Sequence, residues 1–235
     1  MIYRQIKPHP QLKDLIRCYW TITGHTDATF EHRVISDYCM DIITDLKSGE
    51  SIVAGPAYGY YDVPYCGEVS IFGIRFYPGA FFTLFGIPAS EFYGLCVPLN
   101  DLGIDFSPVN SPAAADKYLL GMVADRHIDQ FSASLNCGDS SFLCGYSKKT
   151  VNRRMSERTG LTYGAYSQIL GLHKSISLML SGGYKQADIA VLSGFYDQSH
   201  FIRTFKRHTG SPPLTFLNEI KSSPVRFIQY PLGMY

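Results

Sequence analysis

At 235 residues, the chain is long enough for one large domain or two small ones. With 46% apolar residues it can bury a substantial core, which excludes a disordered chain. The formal net charge of +1 favours no partner, but the charge is unevenly spread: residues 1–110 carry 7 Lys/Arg against 12 Asp/Glu, and residues 111–235 carry 14 against 8.

The window 140–221 is the most basic, with 11 Lys/Arg against 4 Asp/Glu. Such asymmetry suggests two domains, the basic one facing a polyanion, although a solvated basic face would give the same counts. The six cysteines, at 18, 39, 66, 96, 137 and 144, form no CxxC pair and no metal-ligand spacing. Free thiols in a reducing, cytoplasmic compartment are expected, with no metal and no cofactor. The N-terminus MIYRQIKPHPQLKD lacks the continuous apolar run of a signal peptide. The most apolar run, residues 70–87, is interrupted by Arg75, Pro78 and three glycines, so no membrane span is expected.

Taken in chain order, the first half reads as β. YWTIT (19–23), HRVIS (32–36), MDIITDL (40–46), SIVAG (51–55) and VSIFGIRF (69–76) are short, rich in Val, Ile and aromatics, and punctuated by Gly, Pro, Asp and Ser. AFFTLFG suits a short helix stopped by Gly86 and Pro88. DFSPVNSPA (105–113) reads as a linker. Beyond Pro112 the apolar period becomes helical, first over 113–131, where Tyr118, Met122 and Val123 share a face. That helix is a candidate dimer seam, with packing on its own domain as the competing reading. Helices then follow from a Ser cap to a Gly stop in SKKTVNRRMSERTG, through the long amphipathic TYGAYSQILGLHKSISLML, over QADIAVLSG, and from an Asp cap to a Gly stop in DQSHFIRTFKRHTG.

One internal echo stands out. GYSKKTVNRRMSERTG (145–160) and GFYDQSHFIRTFKRHTG (194–210) share a Gly-aromatic opening, a capping residue, an apolar pair four apart, basic residues and a closing Thr-Gly. The apolar pair is Val151 and Met155 in one copy, Phe201 and Phe205 in the other. A short helix, a glycine turn and a second, capped helix with long polar side chains on its outer face is the layout of a helix-turn-helix. Lys148, Lys149, Asn152 and Arg153 lie away from the first apolar pair, and Gln198, Ser199, Ile202 and Arg203 away from the second. Arg suits guanine edges, and Asn or Gln suits adenine. Arg154, Lys206 and Arg207 sit later on their helices, where phosphate contact is the better use. A single such helix could be an ordinary amphipathic one; two with the same punctuation in one basic window point to nucleic acid.

Ile189-Ala190, Gly194-Phe195, Asp197-Gln198-Ser199-His200-Phe201, Arg203, Phe205-Lys206, Gly210 and Pro212 closely resemble the second helix-turn-helix of AraC/XylS transcription regulators, and residues 145–160 resemble the first. The resemblance covers about residues 132–218. It implies that the helix from Tyr163 to Leu180 is a rigid connector, that the two recognition helices enter successive major-groove segments on one face of double-stranded DNA, and that RNA polymerase is a partner. It also maps base-facing positions to Lys149, Asn152, Arg153, Gln198, Ser199 and Arg203. Three departures weaken the first unit: Cys137, Gly138 and Cys144 stand in its leading segment, Gly171 in the connector, and Tyr163 in place of a frequent Pro.

The N-terminal half, roughly residues 8–103, resembles an uncharacterised β-rich domain often fused to AraC-type DNA-binding domains, and RFIQY (226–230) resembles the end of such proteins. Related regulators use a cupin-like barrel there to bind an effector. His25, His32, Asp37, Cys39 and Asp41 have no metal spacing. Arg75, inside an apolar strand, could bind an anionic ligand or pair with a carboxylate such as Asp41. Tyr58, Tyr60, Tyr61 and Tyr65 could line a pocket or pack in the core. No catalytic motif is legible.

The expected fold class is therefore α+β: a β-rich, barrel- or sandwich-like and cupin-like N-terminal domain over 1–105, a linker over 106–112, an all-α domain over 113–220 with two helix-turn-helix units joined by a long helix, and a tail over 221–235. The expected function is that of a sequence-specific DNA-binding transcription regulator, not an enzyme. Its N-terminal domain would bind a small-molecule effector, with Arg75, Tyr58, Tyr60 and Tyr61 as candidates, or would form a homodimer. Two other classes stay open: an interaction protein with degenerate DNA binding, and an enzyme or repair protein with an appended AraC-type domain.

Overall fold

The computed structural model describes residues 1–107, 109–123, 131–132, 135 and 145–222. By contact the chain divides into two units. The first gathers Met1–His25, Tyr38–Ala57 and Glu68–Tyr163; the second gathers Thr26–Asp37, Tyr58–Gly67 and Gly164–Tyr235.

Six strands, β1 (Ile2–Ile6), β2 (Ile16–Ile35), β3 (Met40–Asp45), β4 (Ser51–Ala54), β5 (Tyr60–Phe76) and β6 (Cys96–Pro98), form one sheet in the order β1-β2-β5-β3-β4-β6. β1 pairs antiparallel with β2, placing Tyr3 opposite Ile22, and β3 pairs antiparallel with both β5 and β4, placing Asp41 opposite Arg75 and Ala54. The stretches expected as two strands, 19–23 and 32–36, are one 20-residue strand, and 69–76 is the end of a 17-residue strand. The stretch between them, 24–31, is mostly polar, but in a strand segment whose side chains are exposed or half-buried polarity does not break the ladder. β1 was not expected; its alternation of half-buried Tyr3 and Gln5 with exposed neighbours is that of an edge strand.

In the first unit, strand residues Ile42, Val53, Phe72, Ile74 and Phe76 pack with helix α1 (Ala80–Phe85), where Phe81 and Leu84 are buried. α1 ends at Gly86, as its sequence predicts. The stretch expected as a linker holds two core side chains, Phe106 and Val109. They precede α2 (Pro112–Val123), whose Ala115 and Leu119 are buried in the same core. Asp116 ties α2 to its own unit, accepting from Tyr19 Oη at 2.7 Å and His9 N at 2.9 Å. The predicted continuation of this helix over 124–130, most of the leading segment 131–145 with Cys137 and Cys144, and the tail 223–235 lie outside the described residues. The last described helix of the unit is α3 (Lys148–Thr159).

The second unit is built on α4 (Tyr163–Ser181), α5 (Gln186–Leu192), α6 (Gln198–Thr209) and α7 (Pro213–Ser222). Leu172, Ile176, Ile189, Ala190, Phe195, Phe201, Phe205, Phe216 and Ile220 form its core, and Ile35 at the end of β2 belongs to that same core. Phe201, Phe205 and Phe216 make successive edge-on ring contacts at 5.5 and 5.3 Å. Each fully buried phenylalanine contributes on the order of 1.5–3 kcal/mol by transfer alone. Gly171, a liability in a helix by propensity, is required here: a Cβ would stand 2.6 Å from Ser193 O, so only glycine lets α4 approach the turn after α5 this closely.

Candidate nucleic-acid interface

The two echoed segments fold alike. Before α3, Ser147 is extended (φ −66°) and its Oγ accepts from Thr150 N at 3.2 Å; before α6, Asp197 Oδ1 accepts from His200 N at 2.6 Å. Each side chain answers an amide that the first turn leaves without a partner. Val151 and Met155 are buried on α3, Phe201 and Phe205 on α6. Gly160 (φ 70°) and Gly210 (φ 87°) end the helices in the left-handed region that a side chain disfavours. The shared threonine has a role that the sequence did not explain. Thr159 Oγ1 donates to Met155 O at 2.7 Å and accepts from Leu161 N at 3.2 Å; buried Thr209 Oγ1 lies 2.9 Å from both Phe205 O and Ser211 O. A hydroxyl at each helix end thus reaches a carbonyl of the last turn.

The outer faces differ in what is available. On α3, Lys148 and Lys149 are exposed. Arg153 is exposed, but its Nη1 donates to Glu157 Oε1 at 2.7 Å. Asn152 Oδ1 accepts from Tyr163 N at 3.1 Å, so its amide oxygen is spent on the start of α4. Arg154 donates to Tyr146 Oη at 3.1 Å and lies 4.4 Å over that ring. On α6, Gln198, Ser199, Arg203, Lys206 and Arg207 are all exposed. Gln198 Nε2 donates to Gln186 Oε1 at 3.0 Å. Among the described residues, Arg203, Lys206 and Arg207 have no carboxylate within ion-pair distance.

His208, on the inner face of α6, is fully buried, and neither ring nitrogen has a hydrogen-bond partner. The edge of its ring meets Tyr58 at 4.5 Å. Burial, reinforced by Arg207 and His173, lowers its pKa to about 4.

The candidate ligand residues go elsewhere. Arg75 is buried and its charge is answered inside the first unit by Asp41, with Nη2 to Oδ2 at 3.1 Å, while Trp20 Nε1 donates to Asp41 Oδ1 at 2.8 Å. That is the paired alternative of the two the sequence offered. Tyr58 Oη donates to Gln168 Oε1 at 2.6 Å. Tyr60 lies 4.5 Å under the Arg33 guanidinium, and Tyr61 is exposed. Tyr58 and Tyr60 thus pack against the helices of the second unit, and Tyr65 stacks on His32 at 6.5 Å. Sequence reasoning passed over Arg33, whose partners lie far away in the chain. Among the described residues no cluster of three or more His, Cys, Asp or Glu could hold a metal, and no helix is long and apolar enough to cross a membrane.

Residues 143–219 match the family described as a helix-turn-helix domain, and residues 4–98 match a domain of unknown function (DUF6597). No curated protein is similar in sequence at a significant level. Among solved structures the chain is similar to ToxT of Vibrio cholerae, at 14% identity and a TM-score of 0.40, over 85% of this chain and 98% of that one. It is similar also to ToxT bound to (E)-4-(8-methylnaphthalen-1-yl)but-3-enoic acid, at 14% and 0.41 over 93% and 99%. A third similar structure is ToxT with an unsaturated fatty acid bound, at 13% and 0.38 over 84% and 93%. The duplicated, capped layout of α3 and α6 lies inside the residues that match the helix-turn-helix domain family.

Proposed function

We propose that α3 and α6 are the two recognition helices and that they read one duplex, α6 making the stronger sequence-specific contacts. The observation that carries this reading is the repeated build: a side-chain cap, a buried apolar pair and a left-handed glycine, with Lys149 and Arg153 outward on one helix and Ser199 and Arg203 outward on the other. Arg203 suits the O6 and N7 edge of guanine and Gln198 suits adenine. Lys148, Arg154, Lys206 and Arg207 hold phosphates, which makes affinity fall steeply with salt. The protein acts in the cytoplasm and is not an enzyme. Its N-terminal domain senses a small molecule or mediates self-association, and RNA polymerase is the downstream partner; these follow the AraC/XylS resemblance.

Hydroxyl-radical footprinting of the full chain on a duplex selected from random sequence tests the reading. Two protected segments about 10 base pairs apart are expected, the spacing of successive major grooves. A single protected segment, unchanged by Lys149→Ala and Asn152→Ala, would remove α3 from it.

A further inference from the structure

The C-terminal end of α6 is held by a residue from far earlier in the chain. Arg33 Nη1 donates to Thr209 O at 3.3 Å, one of the carbonyls that a helix end leaves open. A cation there also suits the negative end of the helix dipole. Arg33 is itself fixed from two further sides. Its Nε and Nη2 each donate to an Asp62 carboxylate oxygen at 2.8 Å, a two-pronged pairing, and its guanidinium lies 4.5 Å over the Tyr60 ring. The side chain is only 12% exposed, so its charge is turned into the unit and not toward solvent.

The fit leaves no room for another residue at the end of α6. A Cβ on Gly210 would stand 2.6 Å from Arg33 Nη1 and 2.8 Å from the Tyr60 ring. The same segments of β2 and β5 hold the rest of the inner face: Ile35 lies in the core with Phe201 and Phe205, Tyr58 meets His208 edge-on, and His173 Nε2 donates to Ser36 O at 3.1 Å. The orientation of α6 inside its unit therefore depends on residues 26–37 and 58–67 as well as on its helical neighbours.

Resting on the reading that α6 contacts DNA, we propose that Arg33 is a positioning residue for sequence recognition: through Thr209 O it fixes the axis of α6 and hence where Arg203 is presented. Side chains that read base edges work only when the supporting contacts hold them within a fraction of an ångström. Arg33 acts through α6 and touches no base.

The test uses the full chain and a duplex selected from random sequence, with a scrambled duplex as competitor. Arg33→Ala is expected to lower the preference for the selected duplex by about tenfold, as loss of one well-placed base contact would. Its salt dependence should be unchanged, and Arg33→Lys, which can still reach Thr209 O but not grip Asp62 with two prongs, should recover part of the preference. Asp62→Asn, which leaves Arg33 in place with a weakened hold, should give an intermediate loss without unfolding. The proposal is overturned if the preference is unchanged once corrected for folded fraction, or if the salt slope falls by about one, which would make Arg33 a phosphate contact. It is also overturned if both Arg33→Ala and Asp62→Asn only unfold the protein. Arg203→Ala serves as the control: if it leaves the preference intact, the reading that α6 contacts bases has failed, whereas a loss with Arg203→Ala but none with Arg33→Ala rejects the positioning role alone.

Discussion

The residues of α3 and α6 correspond at a constant offset of fifty, and three of the positions where they differ change what surrounds the arginine that they share. Arg153 matches Arg203, but Glu157, which pairs with Arg153 one turn on, is replaced by Arg207. Asn152, whose oxygen caps the next helix, is matched by Ile202. Arg158, stacked 5.1 Å over Phe82 and paired with Glu157, is matched by the buried, unpartnered His208. The scaffold positions (cap, apolar pair, threonine and glycine) are kept in kind, and the differences fall on which cations are left available. One copy neutralises its central arginine internally; the other adds a second positive charge beside it. A duplicated motif can thus keep its fold while its two halves diverge in how strongly they grip an anion.

The largest expected effect is on stability and lies at the His208–Arg158 difference. Because the folded pKa of His208 is depressed to about 4 from 6.5, the unfolded chain binds the extra proton first. The contribution to stability is complete above about pH 6.5 and is lost as pH falls through 4, amounting to about 3 kcal/mol. Urea unfolding of the wild type and His208→Phe at pH 7.5 and pH 4.5 should show a smaller acid loss in the variant; equal losses would break the contrast.

Next comes the arginine pair. Arg203→Ala should cost about 1–3 kcal/mol of binding and relax preference at one base. Arg153→Ala should cost less, because Arg153 must first leave Glu157. Anisotropy titrations on one selected duplex compare the two, and a larger loss at Arg153 would reverse the ranking.

The smallest effect sharpens the same point. Glu157→Gln releases Arg153 and removes a negative charge. Binding should tighten by a few tenths of a kcal/mol, the size of an i,i+4 pair, and weakened binding would mean that Glu157 holds Arg153 in its reading pose.

The helical half was legible because its signals are local. Ser147, Asp197, Gly160 and Gly210 mark helix ends through bonds within four residues, and the apolar pairs need only a period. The pairing of Arg75 was half legible: an arginine in an apolar strand demands a carboxylate, and Asp41 faces it across the sheet register. What escaped notice was long-range or a matter of length. The extent of β2 and β5 was hidden by polar residues that an exposed strand tolerates. The roles of Gly171 and Arg33 depend on Ser193 and Thr209, whose approach no local pattern encodes. The packing of Phe106 and Val109 was masked by prolines and serines that read as a linker.

Selection of bound duplexes from a random pool tests most directly whether both copies of the repeated unit read sequence. The expected outcome is a bipartite preference, two half-sites about one helical turn apart, with the half that loses definition on Arg203→Ala being the sharper. Enrichment of no sequence, or of one half-site indifferent to changes in both α3 and α6, would contradict it.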